Sequence, residues 1–394
     1  MADVIERTKP GRRKFVSTWW RMGLAAGISR LIPWENAGLL AQASPHTERR
    51  LVRSVRPQDL ETPVALLNSW ITPNDAFYVR SHLDTPSVDL GSWSLTVDGD
   101  VERPLTLKMA DLRRMPSVST PVTLECAGNG RAFFDPPVAG AQWQKGAVGN
   151  AHWTGVHLAD VLKRAGLKTS GRYVWLDGVD RPMGAVPDVV RQLPLGKAMH
   201  ADTILAYEMN GEPLPVANGF PLRAIVPGWE AAYSVKWLTH VQVSDREHEG
   251  FFVQTAYRYP RMPVAPGATV EPRDMAPLTG LTVKSLITSP LEGATMPPGT
   301  IKVAGFAWAG EATIVRVDVS TDNGSTWSPA TLGNDRAPYA WRQFQFSWRV
   351  KTPGSYLILT RAADDRGRVQ PLVAQWNPGG YLFNAVDRVR VNVG

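Results

Sequence analysis

Cysteine is nearly absent from this chain: Cys126 is the only one among 394 residues. No disulfide can close within the chain, and no CxxCH haem attachment is possible. The seven histidines are scattered and form no HExxH. His152 and His157, five apart, fall on different sides of a helix, which argues against a histidine-built zinc site. Long apolar runs are missing too. None approaches the ~20 residues that cross a bilayer, so no transmembrane anchor is expected. Neither a GxGxxG fingerprint nor a Gly-Lys-Ser/Thr phosphate loop occurs, and there is no tandem repeat or low-complexity tract. Excess charge is confined to one end. Residues 1–43 hold seven Lys or Arg against three Asp or Glu, so four of the chain's seven net positive charges lie there. The remainder gives no electrostatic case for nucleic acid or a membrane surface.

What is present is a long chain, sufficient for two or three domains, with 15 Trp, 32 Pro and 34 Gly. That balance suits a strand- and loop-rich fold. The N-terminal stretch reads Arg12-Arg13-Lys14-Phe15-Val16, then a patchy apolar region around Leu24 to Ile28, then Ala41-Gln42-Ala43. The order resembles a twin-arginine export signal over residues 1–43, which implies a periplasmic protein. Export brings a chain into an oxidising compartment, where a lone cysteine is a candidate reactive thiol or metal ligand.

From residue 44 onwards the pattern is mixed α+β. Short strands are expected at Phe77–His82, Ser92–Gly99, Val122–Leu124, Tyr173–Leu176, Leu205–Met209, Phe220–Val226 and Lys236–Val243. The spacing of Met109, Leu112 and Met115 predicts a short helix over 106–115. Leu158, Val161, Leu162 and Ala165 predict a longer one over 153–166, stopped by Gly166. Five prolines between 260 and 277 mark a linker. Beyond it, alternating runs and the turn Asp322-Asn323-Gly324-Ser325 predict an immunoglobulin-like β-sandwich. The domains are therefore drawn at 44–272 and 278–394.

Cys126 follows the apolar run Val122–Leu124 and precedes Gly128-Asn129-Gly130-Arg131. A thiol at a strand end, beside free amides and a fixed positive charge, favours the thiolate. Several other strand ends also carry cations: Arg80 with His82, Arg223 and Lys236. Such a set suits an anionic ligand and a soft or high-valent metal. Burial as a small apolar residue is the plain alternative for the cysteine.

The ordered motifs Phe77–His82, Leu124–Arg131, Gly140–Trp143, Tyr207–Gly211, Gly219–Arg223 and Val235–Leu238 resemble those of the sulfite oxidase family of molybdenum enzymes. The resemblance covers residues 60–394, including Val317–Ser320 and Asp322–Trp327 in the tail. It implies a molybdopterin-binding domain followed by an Ig-like dimerisation domain, and hence a homodimer. Cys126 becomes the protein's sulfur ligand to molybdenum. His82, Arg223, Lys236 and Asn218 match positions that hold the pterin and its phosphate, with Asn218 standing where vertebrate members often carry His. Arg80 and Arg131 match the arginines of the oxyanion pocket, Trp143 its tryptophan, and Tyr257 its tyrosine, with Tyr259 as the neighbouring alternative.

The implied activity is oxygen-atom transfer to sulfite. Electrons would pass to an external acceptor such as a c-type cytochrome, since no haem domain precedes residue 60. One departure bears on the substrate. Animal members carry an arginine in Trp-Asn-x-Arg-Gly, where this chain reads Trp376-Asn377-Pro378-Gly379-Gly380. Reduction of an S- or N-oxide is the second enzymatic reading, and a cofactor-free Ig-like binding protein the non-enzymatic one.

Overall fold

Two neighbouring strands carry the cysteine and set the plan of the N-terminal half. Ser117–Glu125 runs antiparallel to Val148–His157, with Ser117 opposite Val156 and Glu125 opposite Val148. Ile204–Met209 continues the sheet, flanked by Glu212–Pro213 and Arg223–Ile225. The computed structural model describes residues 48–394; the expected export signal over 1–43 lies outside the described residues.

A second five-stranded sheet has the order Leu105–Leu107, Leu95–Gly99, Leu238–Ser244, Tyr173–Gly178, Arg191–Pro194. The helix Leu158–Ala165 packs between the sheets. Its Leu158, Val161, Leu162 and Ala165 are fully buried with Leu95, Val97, Val174, Leu176 and Val241. Each large side chain so buried stabilises the fold by about 1.5–3 kcal/mol. Gly166 ends the helix at φ 74°, a conformation that glycine adopts at least cost.

The expected helix over 153–166 is half wrong. Trp153 to His157 belong to the strand, because Gly155 lies against Leu205 O so closely that a Cβ there would come to 2.0 Å. Strand pairing claims this stretch before the helical period begins. The short helix is also trimmed, to Met109–Arg113, since Leu105–Leu107 pairs with Leu95–Val97. Of Phe77–His82 only Val79–Arg80 is strand. The α+β expectation is thus corrected to a mostly β chain with few helices. The proline-rich stretch is tied at both ends, as Arg258–Pro260 pairs with Met275–Pro277.

The C-terminal half is a sandwich of two sheets. One has the order Lys284–Ser289, Gly299–Trp308, Arg342–Val350, Thr331–Leu332. The other has Thr295–Met296, Asp387–Val393, Gly354–Asp364, Ile314–Ser320, Ser328–Pro329. Val303 and Trp348 from the first meet Val319, Ile358 and Val391 from the second in a shared core. The Asn323-Gly324 turn takes positive φ at both residues and joins two paired strands, as its sequence requires. No helix among the described residues is long and apolar enough to cross a membrane.

Candidate active site

The last four residues of the strand Ser117–Glu125 are buried on both faces, and each face is covered by a different domain. Val122 and Leu124 enter an apolar cluster with Phe77, Trp143 and Trp153. Thr123 and Glu125 face the sandwich. Thr123 Oγ1 accepts the Trp341 N–H at 2.8 Å. Glu125 accepts from Trp308 Nε1 at 2.7 Å and from Lys284 Nζ at 2.8 Å. Asn129 ties the following loop to the same carboxylate at 2.9 Å, and its own N–H donates to Cys126 O at 2.8 Å. Cys126 therefore emerges from a loop braced on both sides.

The glycines of that loop make room for its neighbours. A Cβ at Gly128 would meet the Arg131 guanidinium at 2.8 Å, and one at Gly130, where φ is 92°, would meet Phe383 at 2.8 Å.

The thiol opens into a cleft with about 720 Å³ of empty space, counted out to solvent. Seven of the nine residues expected at the site line it: Arg80, His82, Cys126, Asn218, Arg223, Lys236 and Tyr257. Of the two candidate tyrosines, Tyr257 lines this cleft and Tyr259 a different groove. Arg131 and Trp143 are not in the cleft wall. Arg131 is buried and donates to Ala141 O and Gly379 O, both at 3.1 Å. Trp143 is fully buried in the apolar cluster with Cys126, and its Nε1 has no partner. Sequence reasoning missed Tyr78, Asp180 and Glu230, which also line the cleft. Tyr78 lies within the Phe77–His82 motif but carried no signal of its own, while Asp180 and Glu230 lie outside the motifs and only folding brings them to the wall.

The electrostatics are those of a site built for an anion. Arg223 is buried, held by Ser234 O and Asn218 O, and burial lowers its pKa to about 10. Lys236 donates to Ser81 Oγ at 2.8 Å and Ala217 O at 3.0 Å. Burial, then the charge of Arg223, pushes its ammonium well below the ordinary lysine range. Neither Arg223 nor Lys236 shows a side-chain ion pair among the described residues, whereas Arg80 is paired with Asp59 at 3.0 Å. Burial and the nearby Arg80 hold His82 well below its usual pKa, so its imidazole is neutral. Its Nε2 is 2.7 Å from Tyr257 Oη. Burial raises the Cys126 thiol to about 11, opposed by Arg80, Arg131 and the Gly128 N–H. A bound cation is what brings such a thiol to its thiolate.

These residues fit a molybdenum–pterin group. Two buried polar atoms, Tyr78 Oη and Asn218 Oδ1, belong to cleft-lining residues and have no partner, as they would if a polar ligand completes them. Two buried cations that form no side-chain ion pair among the described residues suit a phosphate or another anion, with Asp180 and Asp59 the carboxylates acting on Lys236. Among the described residues no three His, Cys, Asp or Glu side chains gather to hold an ion. A metal bound at Cys126 must therefore receive its other ligands from the cofactor.

Site and fold together define a molybdopterin-dependent oxidoreductase, and the comparisons with known proteins agree. The family described as "Oxidoreductase molybdopterin binding domain" matches residues 82–252, and "Mo-co oxidoreductase dimerisation domain" matches 276–394. The chain is 39% identical to sulfite oxidase of Gallus gallus over 353 residues, covering 86% of this chain and 76% of that protein. With sulfite oxidase of Arabidopsis thaliana it shares 33% identity, covering 90% and 96%. It spans 65% of the length of the mitochondrial sulfite oxidase of Rattus norvegicus, at 39% identity. In structure it resembles the sulfane dehydrogenase SoxCD of Paracoccus pantotrophus, with a TM-score of 0.75 and 28% identity over 90% of this chain and 92% of that one. The chain belongs to the sulfite oxidase family. With that, the reading as a cofactor-free binding protein gives way.

Proposed function

We propose that this enzyme oxidises sulfite to sulfate and hands the electrons to an external acceptor of the c-type cytochrome kind. The observation that carries the reading is the cleft itself: one thiol at its wall, with Arg80, Arg223, Lys236 and neutral His82 around it. When bound, the molybdenum–pterin group supplies the oxygen-atom transfer and stores the two electrons.

The chain's own residues do the rest. Cys126 anchors the metal. Arg223 and Lys236 answer the cofactor's negative charge, and Asn218 Oδ1 and Tyr78 Oη offer it hydrogen bonds. Arg80, fixed by Asp59, presents its guanidinium to an oxyanion. Tyr257 and His82 form a neutral hydrogen-bonded pair at the same wall. The relatives' names support sulfite as substrate.

Reduction of an S- or N-oxide is favoured by one specific feature. Of the two arginines expected at the oxyanion, Arg80 alone lines the cleft; the Arg131 guanidinium is held by two carbonyls and acts through its charge only, so one direct oxyanion donor fewer is on offer. We further infer an exported, periplasmic homodimer. The twin-arginine pattern supports export, and the match to a dimerisation domain over 276–394 supports the dimer. An Ig-like sandwich is the reading its paired sheets support.

The test is elemental and optical. Purified protein should hold one molybdenum per chain, lost in Cys126→Ser, and sulfite should bleach the oxidised centre anaerobically. Full molybdenum with no response to sulfite, but reoxidation by a sulfoxide after chemical reduction, would move the assignment to the reductase.

A further inference from the structure

The turn Asn377–Phe383 lies directly on the cysteine loop. Leu382 N–H donates to Ala127 O at 2.8 Å, and Arg131 donates to Gly379 O at 3.1 Å. Asn377 closes the turn on itself, donating to Tyr381 O at 2.9 Å and accepting the Tyr381 N–H at 3.0 Å. Within the turn, the Tyr381 ring covers Gly379. A Cβ at 379 would come within 2.4 Å of that ring, closer than any real contact. The ring cannot readily give way. It stacks on Tyr257 with centroids 5.5 Å apart and planes 15° from parallel, and the Arg131 guanidinium lies 5.3 Å from its centroid.

Tyr257 needs such support. Its φ is 54°, a left-handed backbone that is strained for a non-glycine residue and persists only where the surroundings impose it. Its N–H donates to Tyr381 Oη at 3.3 Å, and its carbonyl accepts from Leu278 N–H at 2.8 Å. Buried Arg191 adds a cation 4.7 Å from the Tyr257 centroid. From this backbone state the tyrosine hydroxyl reaches 2.7 Å from His82 Nε2.

We propose that Tyr381 is the positioning residue of this reaction site. It holds Tyr257 so that its hydroxyl meets His82, and it takes the space that a side chain from position 379 would need. The proposal rests on the reading of the cleft as the molybdenum site. It deepens that reading by placing a neutral aromatic ring behind Tyr257, one layer back from the cleft that Arg80 lines.

The experiment uses holoprotein labelled with nitrogen-15 histidine, at one fixed pH, with the His82 ring signal assigned by its loss in His82→Gln. Tyr257→Phe defines the signal without the tyrosine hydroxyl. Tyr381→Ala should move the His82 signal to that same place, while Tyr381→Phe, which keeps the ring, should leave it near the wild-type position. Tyr381→Leu stands in should the alanine variant not fold. An unmoved His82 signal in the alanine or leucine variant overturns the positioning role. In parallel, Gly379→Ala should lower the unfolding midpoint of wild type but not of Tyr381→Ala; equal losses in both backgrounds overturn the space-filling role. Neither readout requires turnover. If sulfite fails to bleach the centre while His82 moves as expected, the substrate reading falls and this one stands.

Discussion

Replacing Lys284 by methionine separates the two domains' contributions to the active site. Lys284 Nζ donates to Glu125 Oε1 at 2.8 Å and to Asn129 O at 3.2 Å. Both charged side chains are nearly buried, with exposures of 11% and 7%. Methionine keeps the apolar stem and removes only the ammonium. Glu125 then retains Trp308 Nε1 and Asn129 Nδ2 as donors but loses the one ion-pair partner it has among the described residues. Breaking a buried pair this way costs about 3–5 kcal/mol, mostly because a carboxylate is left uncompensated out of water. The double variant Lys284→Met, Glu125→Gln carries no orphaned charge and should recover at least half of that loss. Because Glu125 and Asn129 flank Cys126, the proposed metal ligand, the single variant should also lose molybdenum faster on dialysis. Urea unfolding of the holoprotein, followed by tryptophan fluorescence, measures the first effect, and metal analysis of the dialysed protein the second. A loss under about 1 kcal/mol, the size of an exposed pair, with molybdenum retained, would refute the idea that the sandwich braces the cysteine loop.

Lys236→Met should cut molybdenum loading at least tenfold, yet make the cofactor-free protein more stable, because it removes a buried ammonium with no paired carboxylate; metal analysis and thermal unfolding report the two effects. Asn218→Ala should weaken cofactor retention while changing cofactor-free stability little, since its Oδ1 has no partner until a ligand arrives; a retention time equal to wild type would count against its role. Burial, then Asp188 and Asp180, raise Asp177 to about 6. The folded chain therefore holds a proton that the unfolded chain has already released, and this contribution, full below about pH 4, is lost as pH rises through 6. Asp177→Asn should gain stability over wild type near pH 7.5 and lose that advantage toward pH 4, in unfolding curves taken at both.

Local chemistry was legible wherever one segment decides its own form. The Val122–Leu124 run delivering Cys126, the Asn-Gly hairpins at 210 and 323, and the helix face Leu158–Ala165 all follow from short-range rules. Trp153–Val156 misled because apolar spacing near a real helix looks helical, while close backbone approach at Gly155 is invisible in sequence. For Arg131 the position was legible but its contacts were not. Its place after Gly-Asn-Gly is right, but carbonyls of Ala141 and Gly379 take up its guanidinium. Tyr381 carried no signal of its own, since only the fold stacks it on Tyr257, 124 residues away in the chain.

By itself the sequence determined the thiol, the strand that presents it, the glycines of its loop and the cations at strand ends. Those depend on residue type and on neighbours a few positions apart. Tertiary structure decided which cations face one cleft, that Thr123 and Glu125 at the strand's end are covered by another domain, and that position 379 is closed by an aromatic ring. Each of these depends on a contact between distant segments, whose geometry is set by packing and by the need to satisfy every buried charge and hydrogen bond.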